Sequence, residues 1–263
     1  MDLQNVCEKV KKVAIETGNF IRNERRSFSA DKIETKGIHN YVSYVDKQAE
    51  SMLVGALAGI VPEAGFIAEE GTGQRNETGL NWIIDPLDGT TNFIHGLPPH
   101  SISIALSDND RIVLGVIYEV NLEECFYSWE GAPAFLNGTE ISVSETANVK
   151  DSLIATGFPY TAFDRMPSFL VSFEYFVKNS HGLRRLGSAA IDLAYVACGR
   201  FDAFYEFGLS PWDVAAGSFL VEQAGGRVSD FRGGGDYLFG RELVAANSKV
   251  FDEFGSAVGR FMN

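Results

Sequence analysis

Acidic side chains stand at the ends of predicted strands and at the beginnings of predicted helices. Two acids follow one strand, two follow the next strand, and two begin helices: Glu69, Glu70, Asp85, Asp88, Asp46 and Asp213. Hard divalent cations such as Mg²⁺ prefer oxygen ligands in near-octahedral geometry and retain several waters. If the fold brings these carboxylates to one pocket, they would form a centre for divalent cations.

The segment Asp85-Pro86-Leu87-Asp88-Gly89-Thr90-Thr91 has the composition of a metal-binding turn. Its proline stiffens the turn, its two carboxylates can face one pocket, and the carbonyl of Leu87 can add a third oxygen. Gly89 lets the backbone approach a ligand closely, and the amide of Thr90 can donate to a phosphate oxygen. The segment therefore predicts a cation site beside an anion site.

Each of these residues also has an ordinary structural interpretation. Asp-Pro and Asp-Gly are common turn dipeptides, and Glu69-Glu70-Gly71 is typical of a solvated loop. Asp213 in the first turn of a helix can serve the helix dipole, and Asp46 can be an N-cap or a surface acid. Taken singly, the residues leave both interpretations open.

The net charge of −13 argues against a nucleic-acid partner, because such binding usually needs a basic surface. The same charge would repel an anionic substrate unless bound cations reverse the local field. Ordinary solubility accounts for most of the charge, so the metal prediction rests on the clustered acids.

The sequence gives little support for other kinds of site. Cys7, Cys125 and Cys198 are widely spaced without a CxxC pair, which argues against a disulfide scaffold or zinc ribbon. The histidines lack ligand-like spacing, although His95 is close enough to the acidic segment to be a candidate for the pocket mouth. GxSxG, Walker A and GxGxxG motifs are missing. With no secretory signal and no apolar run of about 18 residues, we expect a cytoplasmic protein without a membrane span.

The hydrophobic pattern predicts an α/β protein of two tightly packed halves, with a cleft between them where ligands bind. Residues 1–146 are predicted to be α+β, with helices over 2–26 and 46–57, strands at 66–68 and 82–84, and a hairpin at 137–138. Pro86 is expected to end the second of these strands. Residues 147–263 are predicted to be α/β, with helices over 165–178, 187–197 and 212–224 between short strands.

Two ordered motifs make the sequence closely resemble the inositol monophosphatase family of lithium-sensitive magnesium phosphatases. The first is Glu69-Glu70-Gly71 followed by Trp82-Ile83-Ile84-Asp85-Pro86-Leu87-Asp88-Gly89-Thr90-Thr91-Asn92-Phe93. The second is Trp212-Asp213 followed by a helix that ends in Ala224-Gly225-Gly226. The resemblance extends over nearly the whole chain and implies a layered αβαβα sandwich of the sugar-phosphatase type.

The resemblance also implies roles for individual residues. A first Mg²⁺ would bind Glu69, Asp85 and the Leu87 carbonyl, a second would bind Asp85, Asp88 and Asp213, and Glu69 would help to hold a weaker third. Asp46 and Thr90 would activate the attacking water with help from Glu70, and Gly89 and Thr90 would cradle the phosphate. Substrate contacts would come from Gly187, Ser188, Ala189, Glu206, Asp213 and Lys36. Water would attack the phosphate directly, and the enzyme would be a homodimer inhibited by Li⁺.

The identity of the substrate stays open among several small phosphates. Thr91 stands where relatives that act on 3′-phosphoadenosine compounds usually carry lysine, so the resemblance favours myo-inositol monophosphate. Histidinol phosphate, fructose 1,6-bisphosphate and 3′-phosphoadenosine 5′-phosphate are the alternatives. Some similar bacterial proteins also bind the transcription machinery. Arg184, Arg185 and Arg200 are candidates for such a surface, although the first two are better explained by an edge strand or a subunit interface.

Overall fold

The computed structural model describes residues 1–28, 33–37, 40–159 and 163–263, and it describes side chains outside residues 29–42 and 160–162. The described residues form seven α-helices: Leu3–Arg26 (α1), Tyr44–Ile60 (α2), Thr90–His95 (α3), Met166–Asn179 (α4), Ala189–Ala197 (α5), Pro211–Gln223 (α6) and Phe251–Met262 (α7).

The strands of the described residues belong to three sheets. Ile33–Gly37 (β1) and Asn40–Ser43 (β2) form an antiparallel ribbon. The seven-stranded sheet contains, in spatial order, Gly65–Ala68 (β3), Leu80–Asp88 (β4), Ser101–Asp108 (β5), Arg111–Glu119 (β6), Glu124–Trp129 (β7), Ala134–Leu136 (β8) and Thr139–Ile141 (β9). The five-stranded sheet contains Leu153–Thr156 (β10), Gly182–Arg184 (β11), Ala203–Phe207 (β12), Gly226–Ser229 (β13) and Glu242–Asn247 (β14), in the spatial order β11-β10-β12-β14-β13.

Helices and sheets alternate in five layers, which confirms the predicted αβαβα sandwich. An apolar cluster joins α1 and α2 to the seven-stranded sheet. A second cluster lies between the two sheets and contains most of α5 and α6. A third joins the five-stranded sheet to α4 and α7. The middle layer therefore packs against strands from both predicted halves. The division of the chain into two halves after residue 146 stays a prediction.

Strand β4 differs from the prediction because it continues past Pro86 to Asp88. Its pairing with β5 shifts register between Asp85 and Asp88, as at a β-bulge. A bulge leaves a residue without a ladder bond, so a proline that lacks an N–H is tolerated there. The bulge carries both acids on a rigid strand end rather than on a free loop.

Three of the helices that supply site residues, α2, α5 and α6, begin with a capping box or a serine cap. Helix α2 begins two residues before the predicted Asp46, since Ser43 is its N-cap and Asp46 is the third helical residue. Ser210 and Asp213 have the same relation at the start of α6. Ser188 caps α5 by accepting the amide of Ile191. In each helix the cap fixes the direction in which the first turn points its side chains.

Two further predictions can be compared with the structure. Asn137 and Gly138 both have positive φ, at 48° and 86°, as the predicted two-residue hairpin requires. In the second half, β10 is parallel to both β11 and β12, whereas β14 is antiparallel to both β12 and β13. The parallel strand connections typical of the predicted α/β half are therefore found in only part of that sheet. Among the described residues, none of the helices combines the length and apolar character that a membrane crossing needs.

Candidate functional site

A cavity of about 330 Å³ opens where the end of β4 meets the beginnings of α5 and α6. Most of the predicted site residues line it: Glu69, Asp85, Leu87, Asp88, Gly89, Thr90, Gly187, Ser188, Ala189, Glu206 and Asp213. The volume falls at the small end of the range for ligand pockets. The fold thus gathers at one place residues that are up to 144 positions apart, from Glu69 to Asp213.

Asp85 and Asp88 lie at the cavity with their carboxylates oriented by hydrogen bonds. Asp85 is 2% exposed, and its Oδ1 accepts the amide of Leu87 at 2.9 Å. Oδ2 of Asp88 accepts the Ser188 hydroxyl at 2.6 Å and the Ala190 amide at 2.7 Å. Because Ser188 and Ala190 belong to the first turn of α5, Asp88 also joins the seven-stranded sheet to the middle layer of helices.

Asp213 and Asp46 each combine a structural role with a position at or next to the cavity. Oδ2 of Asp213 accepts the amide of Ser210 at 2.7 Å. Oδ2 of Asp46 accepts the amide and the hydroxyl of Ser43, at 2.8 and 2.6 Å. One oxygen of each acid therefore completes a helix cap. The helix-start interpretation and the site interpretation are compatible.

Thr90 connects Asp46 to the cavity, although Asp46 does not itself line it. The Thr90 hydroxyl lies 2.9 Å from Oδ1 of Asp46 and 3.0 Å from the carbonyl oxygen of Leu87, and its single hydrogen can be donated to either acceptor. With its hydrogen directed at these acceptors, the Thr90 oxygen keeps lone pairs that can accept a proton from a molecule in the cavity. The pair resembles a hydroxyl and carboxylate arranged for proton transfer.

Glu50 holds the Glu69-Glu70-Gly71 turn in place, a role that the sequence analysis missed. Its buried carboxylate accepts the amide of Glu70 at 2.7 Å and the amide of Thr72 at 2.8 Å. Glu50 is four residues after Asp46, so both project from the same face of α2. The four-residue spacing from Asp46 is the feature of the sequence that could have indicated a role for Glu50 near the site. Glu69 lines the cavity and Glu70 does not.

Asn92 is a second residue that the sequence analysis did not assign to the site. It is 9% exposed, and its side-chain amide donates to the carbonyl of Pro99 at 2.7 Å and to the carbonyl of Leu186 at 2.8 Å. Leu186 immediately precedes Gly187 of the cavity wall. Asn92 therefore ties α3 to the segment that leads into α5.

Burial and mutual repulsion raise the pKa values of the cavity acids. The pKa of Asp85 is raised well above its ordinary value by burial and then by the charges of Glu69, Asp88 and Asp213. Burial raises the pKa of Asp88 to about 6, against the lowering effect of its bonds from α5. Burial and the charge of Asp88 raise the pKa of Asp213 to about 8. The cavity thus concentrates negative charge that a cation would neutralise.

The donor set of the cavity fits hard divalent cations. Carboxylates and a backbone carbonyl are the oxygen ligands that Mg²⁺ prefers, and the repulsion among Asp85, Asp88 and Asp213 favours a positive ion between them. Within the described part of the chain, no three His, Cys, Asp or Glu side chains already stand in a complete ligand arrangement. Oxygens of Asp85, Asp88 and Asp213 are instead held by the hydrogen bonds described above.

Several other predicted residues lie elsewhere. His95, the candidate for the pocket mouth, is exposed at the end of α3 and is not part of the cavity wall. Arg185 lines the cavity, Arg184 is exposed on edge strand β11, and Arg200 pairs with Glu124 at 2.5 Å. The three arginines therefore do not form one patch. Lys36 belongs to β1, and its side chain lies outside the described residues.

Comparison with known proteins assigns the chain to a family. The sequence model of the inositol monophosphatase family matches residues 2–258. The chain belongs to the inositol monophosphatase family. Membership supports phosphatase activity, and the family is generally metal-dependent.

Individual relatives extend over nearly the same length. The chain is 40% identical over 238 residues to the inositol-1-monophosphatase of Mesorhizobium japonicum, with 90% of each protein covered. It is 40% identical over 254 residues to the Nus factor SuhB of Pseudomonas aeruginosa, covering 95% of this chain and 94% of the relative. The solved structure of the Thermotoga maritima IMPase superposes with a TM-score of 0.88 at 35% identity, covering 99% and 98% of the two chains. The relatives thus carry two kinds of name, inositol-1-monophosphatase and Nus factor SuhB.

Proposed function

We propose that the protein is a Mg²⁺-dependent phosphomonoesterase that hydrolyses myo-inositol monophosphate to inositol and phosphate. The observation that carries this proposal is the convergence of Asp85, Asp88 and Asp213 on one cavity beside the Thr90–Asp46 pair. Carboxylates alone would repel a phosphate ester, whereas carboxylates loaded with divalent cations would attract it. Family membership supports the same class of reaction.

Two or three Mg²⁺ ions would share these ligands. Glu69, Asp85 and the Leu87 carbonyl are assigned to the first ion, Asp85, Asp88 and Asp213 to the second, and Glu69 to a weaker third. When bound, the ions supply positive charge for the phosphate and the leaving oxygen, and they make water a stronger acid. The hydrogen bonds to Oδ2 of Asp88 and Oδ2 of Asp213 would hold these two carboxylates in place for the ion.

Thr90 and Asp46 would orient the attacking water and receive its proton. The water donates to the Thr90 oxygen, and the proton of the Thr90 hydroxyl passes to Oδ1 of Asp46, 2.9 Å away. Burial raises the pKa of Asp46, which brings the carboxylate closer to the range in which a general base is effective. The bonds from Ser43 hold Asp46 in this orientation. The predicted assistance of Glu70 would be indirect, since Glu70 lies outside the cavity wall.

Gly89 and Thr90 would hold the phosphate through their backbone. Gly89 has φ 93°, which L-residues with side chains rarely adopt. A Cβ there would also come within 3.0 Å of the Pro99 carbonyl oxygen and 3.3 Å of the Gly187 carbonyl oxygen. The position therefore requires glycine, and the missing side chain leaves the backbone accessible to the phosphate.

The remaining substrate-binding residues would contact the alcohol. Ser188 and Ala189 present the first turn of α5 to the cavity, and Gly187 precedes them. The carboxylate of Glu206 can accept hydrogen bonds from vicinal hydroxyls, and Asp213 lies on the same cavity. Lys36 is retained as a proposed contact on the basis of the family resemblance.

We propose a homodimer as the assembled form. Leu170, Val171 and Val177 of α4 are exposed, although they are large apolar side chains. Apolar side chains exposed together favour association with another protein surface. Sedimentation equilibrium would test this proposal, since a monomer at all concentrations would contradict it.

A second candidate function is binding to a transcription complex. It is supported by the relatives named Nus factor SuhB at 39–40% identity. Exposed Arg184 on edge strand β11 is the residue best placed to meet a partner. A protein that binds a polymerase complex and hydrolyses no phosphomonoester would favour this candidate over the first.

The variant Asp88→Asn tests the phosphatase proposal. It keeps the shape of the side chain and an acceptor for α5, but it removes one negative charge from the metal ligands. We expect loss of Mg²⁺-dependent phosphate release from myo-inositol 1-phosphate, with thermal stability retained. Full turnover by Asp88→Asn would contradict the ligand assignment. Glu222→Gln, a change outside the cavity wall, is the matched control.

A further inference from the structure

Asp192 is a buried acid on the cavity that the proposed mechanism does not use. It lies on α5 four residues after the N-cap Ser188, so both side chains project from the same face of the helix. The Ser188 hydroxyl meets Asp88, and Asp192 lines the cavity one helical turn further along. The chain therefore places an additional carboxyl in the wall of the same cavity.

The surroundings of Asp192 leave one oxygen of its carboxyl group without a hydrogen-bond partner. The residue is 1% exposed, and its Oδ1 is buried without a hydrogen-bond partner. An acid that merely complements a helix dipole can do so while solvated or while bonded to backbone amides. A buried oxygen without a partner costs free energy, which a ligand that donates a hydrogen bond would recover.

Glu206 and Arg185 complete this part of the wall. Glu206 projects from β12, is 9% exposed, and lies so close to Gly157 that a Cβ there would overlap its carboxyl group. The positive charge of Arg185 acts on both Asp192 and Glu206. The Arg185 guanidinium lies 5.4 Å from the centre of the Phe158 ring, which also borders the cavity. One cation thus acts on two carboxyl groups in this part of the cavity wall.

We propose that Asp192 determines substrate specificity by accepting, together with Glu206, hydrogen bonds from hydroxyl groups of the substrate alcohol. The preferred substrates are then monophosphates of polyhydroxy alcohols, rather than monophosphates whose leaving group lacks hydroxyls. The positive charge of Arg185 offsets the repulsion between the two carboxyl groups. The inference rests on the proposed phosphatase function and adds the residue that selects the alcohol.

Steady-state kinetics of Asp192→Ala and Asp192→Asn test the inference with two substrates. For myo-inositol 1-phosphate, Asp192→Ala raises KM about tenfold at unchanged kcat, the effect of one lost hydrogen bond. Asp192→Asn keeps one acceptor oxygen and raises KM less. For 4-nitrophenyl phosphate, which has no alcohol hydroxyl, neither variant changes KM.

Glu119→Gln is the matched control. Glu119 is also a buried acid with one oxygen that lacks a partner, but it lies outside the cavity wall. Its variant leaves both KM values unchanged. Thermal melting shows whether the Asp192 variants fold. If Asp192→Ala does not fold, Asp192→Asn, which keeps the shape of the side chain, provides the test.

Equal changes in KM for both substrates, or a fall in kcat alone, would overturn the specificity role of Asp192. If the wild-type protein hydrolyses neither substrate, the phosphatase proposal fails separately. Calorimetric binding of myo-inositol then decides the inference by itself. Weaker binding by Asp192→Ala than by wild type supports it, and equal binding by the two proteins overturns it.

Discussion

Replacing Thr90 by valine removes the hydroxyl that connects the cavity to Asp46 while it preserves the shape of the side chain. The single hydrogen of this hydroxyl has two acceptors within reach, Asp46 at 2.9 Å and the Leu87 carbonyl at 3.0 Å. If Thr90 and Asp46 carry the proton of the attacking water, kcat falls by about 10²- to 10⁴-fold, the usual contribution of general acid–base catalysis. Thr90→Ser restores the hydroxyl and most of the rate.

The loss of stability in this variant is expected to be much smaller than the loss of rate. Asp46 keeps both hydrogen bonds from Ser43, so we expect the free energy of unfolding to fall by about 1.5 kcal/mol, the lower end for a hydrogen bond to a charged group. In a protein of this size that lowers Tm by roughly 3–6 °C. Phosphate release at saturating Mg²⁺, measured well below Tm, separates the two effects. A kcat within threefold of wild type for Thr90→Val would refute the proposed proton path.

Three further predictions concern the metal cluster and the support of the site. The raised pKa values of Asp85, Asp88 and Asp213 favour the protonated folded state, so without metal the stability that these groups contribute is full below about pH 4 and is lost as the pH rises through about 6 and 8. Calorimetry should therefore show that Tm falls over this pH window and that Mg²⁺ raises Tm more at pH 8 than at pH 5. An equal Mg²⁺-induced rise in Tm at both pH values would contradict a metal site formed by these three acids. Asn92→Leu removes the donors to two carbonyls and should cost about 2–3 kcal/mol, measured by urea unfolding, with an unchanged midpoint as the contrary result. Millimolar Li⁺ should inhibit phosphate release, as the resemblance to the family implies, and insensitivity would separate this chain from the lithium-sensitive members.

The hydrophobic pattern predicted most of the helices and buried strands because they carry clear periodic signals, whereas their layered arrangement was implied by the resemblance to the family. Asp46 illustrates where such signals end: spacing locates the start of α2 only to within two residues, since the cap depends on the contacts of Ser43. Pro86 illustrates another limit, because a proline ends a regular ladder but is accommodated in a bulge. Helix α7 was not predicted, although Phe251, Phe254 and Val258 have helical spacing.

The candidate site was predicted only in part. The acids around the cavity were proposed from motifs, and the structure places most of them on its wall. Glu50 and Asn92 were missed because their roles depend on backbone amides and carbonyls that are distant in sequence. Asp192 was missed because an acid near a helix start has an ordinary explanation, and only burial without a partner distinguishes it. The metal-ligand and catalytic roles themselves stay predictions.

The most direct test of the central proposal is phosphate release by the purified protein with and without Mg²⁺. The substrates are myo-inositol 1-phosphate, histidinol phosphate, fructose 1,6-bisphosphate and 3′-phosphoadenosine 5′-phosphate. The account predicts that myo-inositol 1-phosphate is hydrolysed fastest, that a chelator abolishes the activity, and that added Mg²⁺ restores it. Undiminished release in the presence of the chelator, or no release from any substrate with Mg²⁺, would contradict it.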